Sequence, residues 1–117
     1  MFECFINLYA FNFEYHTNTI KVITLNKEKF IPLSLSLSKD YTNIDNVLKE
    51  IIADHLICNI SDIKPRLFDV SILNEVINLN FIATTPVDLK LSQCYYMLIE
   101  NNLLMTNEIL KKAMVYV

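Results

Sequence analysis

Residues 2–15 read FECFINLYAFNFEY. At a period of two, Phe2, Cys4, Ile6, Leu8 and Ala10 share one side of a strand. Phe5, Tyr9, Phe11 and Phe13 lie on the other. A wet sheet face does not need four aromatic side chains, so cover on both faces is expected. A second reading leaves Phe5, Tyr9, Phe11 and Phe13 as an apolar interface for a protein partner or a second copy of the chain.

Moving outward, Asn18-Thr19 supplies a turn, because asparagine tolerates the left-handed region better than most residues. Ile20–Leu25 then pairs back as a hairpin, and Leu33–Leu37 alternates strictly as a short strand with one wet face. Thr42 or Asn43 can cap a helix from Ile44 to about Leu56. Its apolar face is Ile44, Val47, Leu48, Ile51 and His55, with Asp45, Lys49, Glu50 and Asp54 mainly opposite. Strands follow at Arg66–Ser71, Val76–Thr84 and Gln93–Glu100, the first two joined by a turn at Asn74-Glu75. Thr106 caps a last helix with Ile109, Leu110, Ala113 and Met114 inward. The order β-β-β-α-β-β-β-α predicts one α+β domain over 1–117, a mixed β-sheet sandwiched between helices.

Composition limits the chemistry. The 117 residues include no glycine, where average usage of about 7% predicts roughly eight. Phosphate-cradling loops, dinucleotide fingerprints and nucleophile elbows need glycine on steric grounds, so none exists here in its usual form. A hydrophobic fraction of 53% fits a packed core. A formal charge of −3 and no basic run longer than Lys111-Lys112 argue against nucleic acid as a partner. Cys4, Cys58 and Cys94 are too widely spaced for a zinc site and suit a reducing compartment. The N-terminal stretch lacks a basic n-region, and no run reaches the 18 apolar residues of a membrane span. The expectation is a cytoplasmic protein with no membrane association.

Three ordered stretches resemble the Nudix domain. Ile31-Pro32-Leu33-Ser34 stands where that family has Leu-Pro-Gly-Gly. Residues 40–57, DYTNIDNVLKEIIADHLI, look like its signature G-x5-E-x7-R-E-U-x-E-E-x-G-U. KPRLFDVSILNEVINLNFIATTP has the family's strand–turn–strand rhythm. LLMTNEILKKAMVYV resembles the C-terminal helix of the branch related to ADP-ribose pyrophosphatases and nicotinamide regulators. The resemblance implies a Nudix-like α/β/α arrangement and, in an active member, Mg²⁺-dependent hydrolysis of a nucleoside diphosphate derivative.

Carried over by residue, the signature is broken. Lys49-Glu50-Ile51 takes the Arg-Glu-aliphatic step, and the following Glu-Glu becomes Ala53-Asp54. The glycines fall near Ser34 and at Leu56, and the first glutamate falls near Asp40. Glu50 and Asp54, four residues apart, share a helical face and form the candidate metal pair, with Asp40 assisting any residual catalysis. The resemblance therefore implies no cofactor, with Mg²⁺ needed only if hydrolysis persists. The function expected is a degenerate Nudix-like protein acting as a binding or scaffolding module. The alternatives are a weak pyrophosphohydrolase and a non-hydrolysing ADP-ribose or nucleotide sensor.

Other residues have simpler readings beside their chemical ones. His55 on the apolar face reads as a packed histidine before a general base, and His16 sits in a turn. Cys58 and His55 are conceivable as a dyad at a helix end. Arg66, the sole arginine, is the candidate clamp for a carboxylate or phosphate, against a surface ion pair. Tyr95 and Tyr96 could stack a base or serve the core.

Overall fold

The computed structural model describes residues 2–37 and 43–117. Asp40 and the alternative cap Thr42 lie outside the described residues.

The aromatic stretch becomes β1 (Glu3–Glu14), the strand around which the sheet is built. Along one edge it pairs in parallel with β6 (Val76–Thr84). Its other edge is divided between two antiparallel partners. β3 (Leu33–Ser36) faces Phe5–Leu8, and β2 (Thr19–Thr24) faces Phe11–Glu14. Outside these lie β5 (Arg66–Leu73) and β8 (Tyr95–Leu98), giving the order β5-β6-β1-β2-β8 with β3 on β1. A separate two-stranded ladder joins β4 (Leu56–Ile57) to β7 (Lys90–Leu91).

Both faces of β1 are covered, as its residues predict. Ile6, Leu8 and Ala10 join a core with Val47, Leu48, Ile51 and Ile52 of α1 (Ile44–His55). Tyr9 and Phe11 join a second core with Phe30, Ile82 and, from α3 (Glu108–Met114), Leu110 and Ala113. The result is the expected α+β fold with helices on both sides of a mixed sheet. It also corrects the interface reading at Tyr9 and Phe11. Tyr9 and Phe11 are 6% and 0% exposed, and Phe5 and Phe13 are half-buried. Covering this face removes from water the apolar area that suggested an interface.

Glycine-free turns place other residues in the left-handed region: Asn18 at φ 54°, Asn74 at 51°, Glu75 at 64° and Gln93 at 57°. The first three lie in the turns expected from the sequence. Gln93 shortens β8 to Tyr95–Leu98 from the wider expected strand, because a left-handed residue cannot continue a ladder. A non-glycine residue in this region costs about 1–2 kcal/mol, while glycine's extra unfolded-state entropy costs about 0.4–1 kcal/mol. Gln93→Gly is therefore expected to raise Tm by about 2–6 °C in calorimetry. A fall in Tm would show that this glutamine contributes more than its backbone strain costs.

The C-terminal helix also differs in detail. α2 (Asn101–Thr106) precedes α3, and Thr106 closes α2 instead of capping the last helix. Its Oγ1 donates within 3.1–3.2 Å to the carbonyls of Asn102 and Leu103. Asn107, at φ −132°, separates the two helices.

Amides hold the sheet together where apolar contacts stop. Asn7, Asn80 and Asp69 stand in register across β1, β6 and β5. Asn7 Nδ2 donates to Oδ1 of Asn78 at 3.0 Å and of Asn80 at 2.9 Å. Asn80 Nδ2 donates to Asp69 Oδ2 at 2.9 Å, and Lys112 Nζ from α3 donates to Asp69 Oδ1. Further along β1, the buried Asn12 donates to Thr85 Oγ1 and to the carbonyls of Pro86 and Val87, fixing the loop after β6. Among the described residues no buried side-chain nitrogen or oxygen lacks a partner.

Candidate functional site

Asn43 Oδ1 accepts the Asp45 amide at 2.9 Å and starts α1, which buries Val47, Leu48, Ile51 and Ile52. That anchoring fixes which residues the helix presents outward. Glu50 is half-buried and Asp54 exposed, one turn apart on a shared face. Among the described residues neither forms an ion pair or hydrogen bond. Ala53 is exposed beside them.

Two carboxylates could hold an Mg²⁺ that keeps most of its water. However, the methyl of Ala53 stands where the signature places another oxygen donor. Among the described residues no three His, Cys, Asp or Glu side chains gather in a metal-binding group. Among the described residues the candidate donors are thus the two carboxylates of Glu50 and Asp54, and Asp40 lies outside them.

The remaining candidates are brought to different places. His55 Nδ1 lies 3.2 Å from the Ser92 carbonyl, and the Ser92 amide donates back to the His55 carbonyl at 2.9 Å. This histidine is a packed link at the β4–β7 ladder, with one ring nitrogen engaged. Burial, with the negative charge of Asp62 adding to it, pushes the Cys58 thiol up. A thiol held protonated is a poor nucleophile, which counts against the dyad. Cys94 Sγ contacts the His55 carbonyl at 3.6 Å, and burial raises that thiol as well.

Arg66 Nη2 donates to the Tyr116 carbonyl at 3.0 Å, and the Phe68 and Tyr116 rings lie 6.1 Å apart. Through this bond Arg66 ties the C-terminal segment to β5. Tyr96 divides its roles: its hydroxyl donates to the Leu89 carbonyl while Lys21 Nζ lies 5.8 Å from its ring centre. Tyr95 is 44% exposed, with Lys27 Nζ at 5.9 Å from its ring centre. It borders an open hollow of about 720 Å³ shared with Lys27, Lys90 and Leu91.

β5 carries four of the exposed large apolar side chains. Leu67, Val70, Ile72 and Leu73 are 52%, 50%, 65% and 71% exposed on the outermost strand. A long, apolar edge strand is what folded proteins usually protect. The sequence carries a signal for it: the strand is rich in aliphatic side chains, and its two charged residues are Arg66 and Asp69. Both are engaged within the domain. A smaller cavity of about 300 Å³ lies between α1 and residues 60–65.

No family model matches the chain, and no curated protein is similar to it in sequence. Solved structures are similar in fold. A MutT/Nudix family protein from Enterococcus faecalis superposes with a TM-score of 0.62 at 9% identity. That match covers 86% of this chain but 45% of the other, so the chain spans about half of that protein. The Ap4A hydrolase of C. elegans, crystallised as a binary complex, gives a TM-score of 0.61 at 9% identity, covering 96% of each chain. The chain thus has a Nudix-like fold.

Proposed function

We propose that this Nudix-like fold serves as a protein-binding or scaffolding module and has given up hydrolysis. The observation that carries the reading is the apolar outer strand β5, whose Leu67, Val70, Ile72 and Leu73 are about half-exposed or more. Large exposed apolar patches mark interaction surfaces, and Val70 and Ile72 fall on one face of β5 by strand alternation. The two-carboxylate helix face of Glu50 and Asp54, with Ala53 beside it, supports the loss of metal-dependent chemistry. Its partner is a different protein or a second copy of the chain.

Two measurements test the halves of this reading. ADP-ribose and Ap4A, incubated with Mg²⁺ or Mn²⁺ at high protein concentration, are expected to be left intact. Turnover that disappears in Glu50→Gln would instead establish a residual hydrolase. For binding, wild-type and Val70→Lys proteins are compared as bait in extract of the source cells. A partner or second copy retained by the first and lost from the second is expected; identical recoveries count against the β5 surface.

A further inference from the structure

The cavity between α1 and residues 60–65 has a ligand chemistry of its own. Its floor is Leu48, Ile52, Ile63 and Phe81, the first three at most 5% exposed. Lys49 and Lys64 stand on its rim, both exposed. Among the described residues neither lysine has an ion-pair or hydrogen-bond partner. Asp45 is the one carboxylate among the described lining residues, so the rim keeps an excess positive charge.

The wall is built by local bonds and needs no ligand to form. Asn59 Oδ1 accepts from the Ser61 amide at 3.2 Å and its hydroxyl at 3.0 Å. The Asp62 and Ile63 amides donate to the carbonyls of Asn59 and Ile60, closing a 3₁₀ turn over Ile60–Asp62. Pro65 then fixes the backbone as it enters β5. A preformed wall lowers the ordering cost of binding.

An apolar floor offers nothing to a bare anion, and two ammonium groups offer nothing to a neutral hydrocarbon. From this pairing we infer that the cavity binds a small single-chain amphiphile, an alkyl chain carrying one anionic carboxylate or phosphate head. The chain lies on Leu48, Ile52, Ile63 and Phe81, and the head meets Lys49 and Lys64. At about 300 Å³ the space is at the lower end for ligand pockets, which limits the chain to a short one. The site is separate from the Glu50 and Asp54 pair, neither of which lines it.

Calorimetric titration with hexanoate, octanoate and decanoate reads the floor, and octanol beside octanoate reads the head. Each added methylene is expected to tighten binding about fourfold until the cavity is full. Lys49→Ala/Lys64→Ala, changes at exposed positions, is expected to weaken octanoate about fivefold or more and leave octanol unchanged. Octyl phosphate distinguishes a phosphate head from a carboxylate, and vesicles doped with phosphatidic acid test the same chemistry in a bilayer. Saturable octanoate binding with both dependences supports the site. Absence of saturation, equal affinity for octanol, indifference to the lysine variant, or binding to vesicles alone overturns it.

Discussion

Phe11→Ala is expected to destabilise the domain by about 3–5 kcal/mol, the usual range for removing a fully buried phenylalanine. Phe11 is 0% exposed and is the largest of the fully buried side chains. In register it stands between Val22 of β2 and Thr84 of β6, and it packs in the core closed by Leu110 and Ala113. Truncation therefore leaves a cavity bounded by a three-strand sheet and a helix, elements that cannot all move inward. A domain of this size has about 6–18 kcal/mol in total, so the loss is a large share. Chemical denaturation should show a lower midpoint with unchanged m-value. Phe2→Ala, at a 63% exposed position, is the internal control and should fall within about 0.5 kcal/mol of wild type. A loss under 1 kcal/mol for Phe11→Ala would mean that α3 does not close this face tightly.

That experiment also separates the two readings of the aromatic stretch, which the alternation alone left open. Period two assigns residues to faces but does not name what covers each face. Cover on the Phe11 face comes from a helix about 100 positions later in the chain. Local signals were legible where the cause is local. Asn18 and the Asn74-Glu75 turn sit in left-handed backbone, and Asn43 caps α1. The parallel pairing of β1 with β6 was not readable, because no local pattern links Asn7 to Asn80. The β4–β7 ladder is not legible in the sequence because two-residue strands are too short to show alternation. Thr106 has the chemistry of a cap, but its hydroxyl turns back to carbonyls of the helix it ends. As for the candidate site, the helix face of Glu50 and Asp54 follows from helical spacing. The exposure of β5 and the engagement of Arg66 depend on which strand is outermost, which is a property of the whole sheet.

Asparagine in the middle of an apolar strand is a sequence signal for a partner network, and that network gives the second large effect. A buried amide must find hydrogen-bonding groups or lose about 1–3 kcal/mol. Asn7 and Asn80 are 8% and 2% exposed; Asn7 donates to the Asn80 oxygen, and Asn80 in turn donates to Asp69, whose side chain is 8% exposed. Burial pushes the Asp69 carboxyl up. Hydrogen bonds from Lys112 and Asn80, with the lysine charge, more than offset it and hold it below the ordinary carboxylate value. Asp69→Ala removes the acceptor for Asn80 and is expected to cost about 2–4 kcal/mol, most of it from leaving that amide unsatisfied. Asp69→Asn keeps an oxygen for Asn80 and should cost less. Its pH profile should differ as well. Because the folded pKa is depressed, the stability owed to ionised Asp69 is present above the unfolded aspartate value. It is lost as pH falls from there through the folded value. Denaturation midpoints of wild type should thus drop more steeply in that acid window than those of Asp69→Asn. Parallel profiles would show that the charge contributes nothing and that the sheet needs only the oxygen. Lys112 lies on α3, the helix that also closes the core around Phe11. The same carboxylate anchors that helix and completes the amide ladder, so protonating it should weaken both attachments.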